Sequence, residues 1–275
     1  RDLHEPYHRQ RQMCIRDSIN MNYLTAVHTD VGIRKKTNQD SALVMEATTD
    51  KGNVLLTVVC DGMGGLAKGE VASAAVIDAF SKWFENNLPK IIGSPDMKDM
   101  IFRSWEKIVF DMNRNISSFG KRTGISLGTT VVACLFAGNE YYIVNIGDSR
   151  AYCFSDRTYQ LTKDQSYVQR EIDMGRMTPE EAETCPKRNV LLQCIGASEY
   201  IEPAFYNGSM VSGQIFMLCS DGFRHVITDE EMYERLNPFV LNNEQQMKDN
   251  AVYLTELDKY RREQDNITVV LVRVE

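Results

Sequence analysis

Val58-Val59-Cys60-Asp61-Gly62-Met63-Gly64-Gly65 ends an apolar run abruptly in an acid followed by glycines. The runs Asn53 to Cys60 and Gln214 to Cys219 are short and almost continuously apolar, the pattern of strands covered on both faces. An unpaired carboxylate at the mouth of such a strand is costly, so Asp61 needs a partner, and a divalent cation is a natural one. Four more aspartates, Asp40, Asp148, Asp221 and Asp265, stand at an end or turn of an expected strand in the same way. Strand ends at one rim of a sheet converge in space, so acids far apart in the chain can build one cluster. Magnesium and manganese favour hard oxygen ligands and need only one or two carboxylates each. With one aspartate bridging, two ions sit roughly 3.5 to 4 Å apart and lower the pKa of a shared water to about 7, which is hydrolase chemistry.

Outward from that turn, Asn22 to Thr29 alternates weakly as a first strand. Ser41 to Glu46 reads as a second, and a turn at Asp50-Lys51-Gly52 leads into the strand that ends at Asp61. Beyond it, Val76, Phe80, Trp83 and Phe84 recur on one helical face until Asn87-Leu88-Pro89 stops the pattern. A second helix starts near Pro95-Asp96 and carries Ile101, Trp105 and Ile108. Thr129 to Phe136, Glu140 to Ile146 and Ala151 to Phe154 read as three strands joined by tight turns, antiparallel by connection length. Thr162 to Arg188 is polar, with Thr178-Pro179-Glu180-Glu181 as a helix start, and reads as an insertion over the surface. Strands are expected again near Val190 to Gln193, Ile201 to Tyr206 and Gln214 to Cys219, and helices near Asp229 to Leu236 and Glu244 to Arg262. The last strand, Ile267 to Val274, begins directly after Asp265-Asn266.

With 275 residues, 43% of them hydrophobic, the chain has enough apolar material for one large core. The net charge of −7, without a basic stripe, argues against a nucleic-acid partner. No run approaches the length of a membrane span and no secretory h-region opens the chain, so the expected location is cytoplasmic. Seven scattered cysteines, odd in number and mostly inside apolar runs, fit reduced thiols, and the lack of a Cys-x-x-Cys pair speaks against zinc. Arg1 to Ser18 are basic and polar without a period, and read as a non-native or disordered leader ahead of a folded domain over residues 19–275.

Taken singly, each aspartate is as well explained by a turn. Together with their neighbours they carry a resemblance. Thr29-Asp30-Val31-Gly32 with Asn38-Gln39-Asp40, then Cys60-Asp61-Gly62-Met63-Gly64-Gly65, Gly128-Thr129-Thr130, Gly147-Asp148-Ser149-Arg150, Ser220-Asp221-Gly222 and Asp265-Asn266-Ile267-Thr268 follow one another in order. This series resembles that of the metal-dependent protein phosphatases of the 2C type, in particular the short bacterial members, from about Tyr23 to the end of the chain. The resemblance implies an α+β fold, a four-layer αββα sandwich with two central antiparallel sheets flanked by helices and the metals at one end. It implies two Mn²⁺ or Mg²⁺ ions and a weaker third. Asp61 would bridge the two ions, the Gly62 carbonyl would bind one of them, Asp221 and Asp265 would complete the first site, and Asp40 would support the second. Asp148 with Asp221 would hold the third. The implied reaction is direct attack of a metal-activated water on phosphoserine or phosphothreonine in proteins, a serine/threonine protein kinase among the substrates, by a monomeric enzyme. Residues 162–188 would be the family's flap.

Several positions depart from that family pattern. Lys35, with Arg34 beside it, stands where an arginine usually binds the substrate phosphate. An extended segment would send the two side chains to opposite faces, which favours Lys35. Gln39 replaces a common glutamate, Met63 stands where many members carry a histidine proposed as general acid, and Gln165 replaces a flap histidine. Two other readings compete. Gly147-Asp148-Ser149 invites an esterase with Ser149 as nucleophile, although Asp221 and His225 are one residue too far apart for the usual acid and base pair. A catalytically inactive binding module on the same fold is the other, and a retained acid cluster, costly without metal, argues against it.

Overall fold

The computed structural model describes residues 21–64 and 68–275, so the expected leader lies outside the described residues. Twelve strands can be followed among them, beginning with β1 (Tyr23–Asp30), β2 (Ser41–Thr49) and β3 (Gly52–Cys60). Two short strands, β4 (Gly62–Gly64) and β5 (Leu127–Thr129), form a separate ribbon. The rest are β6 (Val131–Ala137), β7 (Glu140–Ile146), β8 (Arg150–Phe154), β9 (Thr158–Gln160), β10 (Ala204–Ser209), β11 (Ile215–Cys219) and β12 (Ile267–Val274). One antiparallel sheet runs β1-β12-β11-β8-β9 and the other β10-β7-β6-β3-β2.

The near-continuous apolar runs are explained by what covers each face. Along β3, Val54, Leu56 and Val58 pack under the helices Gly69–Asn86 (α1) and Met97–Thr123 (α3), whereas Leu55 and Val59 face the other sheet. Along β12, Val269 and Leu271 lie under Asp229–Leu236 (α6) and Glu244–Tyr260 (α7), and Val270 and Val272 face the other sheet. Side chains alternate along a strand, so a strand sandwiched between a helix layer and a second sheet has to be apolar at every position. The result is the αββα sandwich. Its outer helix layer is anchored by Trp105, fully buried and edge-on to Phe80 and Trp83 with ring centroids 5.8 and 5.3 Å away. Truncating Trp105 to alanine removes about 3–5 kcal/mol.

Four expectations are corrected. Thr129 to Phe136 is not one strand: the chain breaks at Thr130, whose N–H donates to the Asp61 carbonyl at 2.9 Å, and β5 peels away to pair with the segment after Asp61. The strand after Gly147-Asp148-Ser149 does not pair back on β7; β8 joins the other sheet, so this turn is a crossover between layers. Val190 to Gln193 forms no strand, only an isolated bridge from Ser166 to Leu191, and the strand expected over Ile201 to Tyr206 runs later, as β10. The helix carrying Val76 to Phe84 does end at Asn86, as expected, and Pro89 sits in the first turn of a one-turn helix Leu88–Ile91 (α2), where its missing N–H costs nothing. Residues 162–188 carry two short helices, Tyr167–Asp173 (α4) and Pro179–Thr184 (α5), outside both sheets. The expected start of α5 is a capping box between Thr178 and Glu181.

Candidate metal centre

Asp61 leaves the buried end of β3 and is fixed through its backbone. Its N–H donates to Thr130 Oγ1 at 3.0 Å, and its carbonyl accepts from the Thr129 hydroxyl at 3.0 Å. The side chain is thereby left free to face the other acids. Gly62 follows because the chain is squeezed there: an added Cβ would lie 2.4 Å from the carbonyl oxygens of both Gln39 and Gly69. Gly222 is under the same constraint, 2.1 Å from the Asn266 oxygen, which packs the turn carrying Asp221 against the turn carrying Asp265. Asn266 ties in the remaining loop, accepting from the Gln39 N–H at 2.9 Å and donating to the Val31 carbonyl at 2.9 Å.

All five predicted aspartates fall in one electrostatic neighbourhood. Burial pushes the Asp61 carboxyl well above the usual carboxylate range, and the charges of Asp40, Asp221, Asp148 and Asp265 push it further. Burial likewise raises Asp40 to about 7 against the hydrogen bonds of Thr268 and Ser220, with Asp221 and Asp265 adding to the rise. Asp148 also reaches about 7, through burial first and Asp221 second, opposed by Arg224. Asp40 Oδ2 accepts from the Ser220 hydroxyl at 2.8 Å, but its Oδ1 is buried without a partner, as is Asp221 Oδ1. Buried oxygens without partners and carboxylates that repel one another are what a bound cation relieves. The hard oxygen donors suit Mg²⁺ or Mn²⁺. Among the described residues no three His, Cys, Asp or Glu side chains already stand close enough to hold an ion, and Asp265 is taken by Lys35, whose Nζ lies 2.6 Å from Oδ1. Burial works to lower the Lys35 ammonium, but the Asp265 bond and the negative charge behind it hold it above its ordinary value.

A cleft of about 630 Å³ opens beside Asp265, lined by Arg34, Lys35, Arg188, Arg261 and Arg262 together with His225 and Gln264. The segment holding Arg34 and Lys35 is a turn and not extended, so both side chains reach this cleft, and Arg34 bonds Gln264. Gln165 does not face it: its Oε1 accepts from the Gly147 N–H at 2.8 Å and braces the Asp148 turn.

Four participants were not anticipated. His225 places Nε2 3.4 Å from Asp221 Oδ2 and Nδ1 3.4 Å from Glu263 Oε2, while Glu263 Oε1 accepts from the Asp265 N–H at 2.9 Å. This bracket holds the turns of Asp221 and Asp265 together. Arg224 and Asp164 flank Asp148, with Arg224 Nη2 3.3 Å from Asp164 Oδ2. The spacing of Asp221 and His225 is visible in the sequence, where it invites comparison with a serine-hydrolase acid and base pair more than with a brace between two turns. Ser149 is fully buried and shares a hydrogen bond of 2.7 Å with Thr130, so nothing equips it as a nucleophile.

Comparison with known proteins agrees with this fold. The family model described as protein phosphatase 2C matches residues 33–259. The serine/threonine protein phosphatase PstP of Mycobacterium tuberculosis is 32% identical over 252 residues, 90% of this chain, and the chain spans 44% of that protein's length. The serine/threonine phosphatase stp of Listeria monocytogenes is 30% identical, the match covering 89% of this chain and 93% of that one. The crystal structure of the PstP catalytic domain in complex with 2 manganese ions superimposes with a TM-score of 0.74 at 30% identity, covering 92% of this chain and 99% of that one. This chain belongs to the protein phosphatase 2C family.

Proposed function

We propose that the chain hydrolyses phosphoserine and phosphothreonine in proteins with two Mn²⁺ or Mg²⁺ ions. The observation that carries this reading is the convergence of the acids on Asp61, with orphaned buried oxygens on Asp40 and Asp221. Asp61, the Gly62 carbonyl, Asp221, Asp265 and Asp40 would hold the two ions. When bound, they supply a water acidic enough to ionise near neutral pH and counter-charge for the phosphoryl oxygens.

The chain's own residues do the rest. Thr129 and Thr130 hold Asp61 by its backbone, so its carboxylate starts from a fixed anchor. Lys35 lies in the cationic cleft beside Asp265 and is the group we assign to the substrate phosphate, exchanging its bond to Asp265 for one to a phosphoryl oxygen. Arg34 lines the same cleft and assists as a second cation. Because Met63 cannot donate a proton and His225 is engaged by Asp221 and Glu263, no side chain is assigned as general acid.

Residues 19–275 form the catalytic unit in this reading, with 162–188 as a flap over the cleft. The phosphoprotein substrates include a serine/threonine protein kinase, and the enzyme works as a cytoplasmic monomer. Among the described residues no helix is long and apolar enough to cross a membrane. The test is hydrolysis of matched phosphothreonine and phosphotyrosine peptides with Mn²⁺ and after chelation. Metal-dependent turnover favouring phosphothreonine supports the reading, and equal or chelation-resistant turnover overturns it.

A further inference from the structure

Asp148 differs from the other four aspartates of the cluster in the cation that faces it. Arg224, three residues beyond Asp221, has a side chain only 10% exposed. Its Nη2 donates to the Asp148 carbonyl at 2.9 Å and to Asp164 Oδ2 at 3.3 Å, with Asp148 Oδ2 3.9 Å away. Asp164 is also gripped by Arg150, through Nε to Oδ1 at 2.7 Å and Nη2 to Oδ2 at 2.8 Å. Two guanidinium groups thus face two carboxylates on this flank of the cluster. The Nε of Arg224 is buried without a partner, so the side chain is placed where its charge is wanted and not where all its donors are met.

Asp148 with Asp221 is the pair to which the family resemblance assigns a weaker third ion. We propose that in this chain Arg224 takes that ion's place, giving Asp148 a built-in cation and limiting the centre to two exchangeable ions. Arginine suits the task because it stays protonated at every accessible pH and satisfies a carboxylate and a carbonyl from one planar fork. Any divalent ion drawn towards Asp148 meets a buried like charge whose own acids, Asp148 and Asp164, it would have to take away. Arg224 acts through Asp148 and is a positioning residue. Its charge is fixed where an exchangeable third ion would vary with metal concentration.

The inference rests on the two-ion reading above, and the experiment separates the two. Mn²⁺ binding would be measured by calorimetry on the whole chain and on Arg224→Gln and Arg224→Lys, with folding checked by circular dichroism. The expected stoichiometry is two ions for the unaltered chain, three for Arg224→Gln, and two for Arg224→Lys, which keeps the charge. Adding Asp148→Asn to Arg224→Gln should return the count to two. Three ions in the unaltered chain, or two in a folded Arg224→Gln, overturns the inference while leaving the two-ion reading intact. Should Arg224→Gln fail to fold, the unaltered chain and Arg224→Lys decide it: two ions in both support it and a third ion in either overturns it. No Mn²⁺ bound by the unaltered chain overturns both.

Discussion

Replacing Asp40 by asparagine should make the metal-free protein more stable while weakening its hold on metal. Asp40 is 9% exposed, with one oxygen bonded to Ser220 and the other without a partner. Its carboxyl rises from 3.8 to about 7 in the folded chain, and at 1.36 kcal/mol per unit this is about 4 kcal/mol of strain when the group is ionised. The folded state therefore holds the proton more tightly than the unfolded state. Stability falls as pH rises from about 4 through about 7, and the penalty is complete above that. Because the acids titrate together, one substitution recovers part of the cost, about 1–2 kcal/mol, or about 2–4 °C in Tm for a domain of this size. The assay is thermal unfolding in chelator from pH 4 to pH 8.5, then with saturating Mn²⁺. Asp40→Asn should melt higher than the unaltered chain at pH 8, match it near pH 4, and gain less from Mn²⁺. A Tm advantage that is absent, or the same at every pH, would mean that the ionised Asp40 carboxylate does not destabilise the metal-free fold.

Two further outcomes follow from the site. Lys35→Ala should lower kcat/KM for a phosphothreonine peptide about 10- to 100-fold, the worth of one charged hydrogen bond, with a smaller change for Arg34→Ala; the reverse order would move the phosphate contact to Arg34. Gly222→Ala puts a Cβ 2.1 Å from the Asn266 oxygen, which is backbone and cannot swing away, so Tm should drop by at least about 2–6 °C, from about 1–3 kcal/mol of overpacking, and Mn²⁺ affinity should fall with it. An alanine variant with unchanged melting and metal binding would mean that the turns of Asp221 and Asp265 need not be so close.

Much of the fold is legible in the sequence because burial on both faces leaves an unambiguous apolar signature. Ile267–Val274 is legible to the residue for this reason. The errors fall where local pattern does not carry the information. Glu140–Ile146 and Arg150–Phe154 are joined by a tight turn, but whether that turn pairs its strands or passes between sheets depends on partners distant in sequence. Thr158–Gln160 is too short and polar to announce itself and exists because Phe154 pairs with Thr158. At the site, the acids were readable as strand-end anomalies, whereas Arg224, Glu263 and Asp164 were not. Each is an ordinary charged residue whose role appears only when distant turns meet.

The proposed role of Asp61 as organiser of a metal-dependent phosphatase site is tested by the Mn²⁺ dependence of phosphothreonine-peptide hydrolysis by the unaltered chain and by Asp61→Asn. The unaltered chain should show no turnover in chelator and saturable activation by Mn²⁺, and Asp61→Asn should lose at least about 10³-fold in kcat/KM, on the order of 4 kcal/mol of transition-state stabilisation, at every Mn²⁺ concentration. Turnover by Asp61→Asn at the level of the unaltered chain, or activity that persists in chelator, would contradict it.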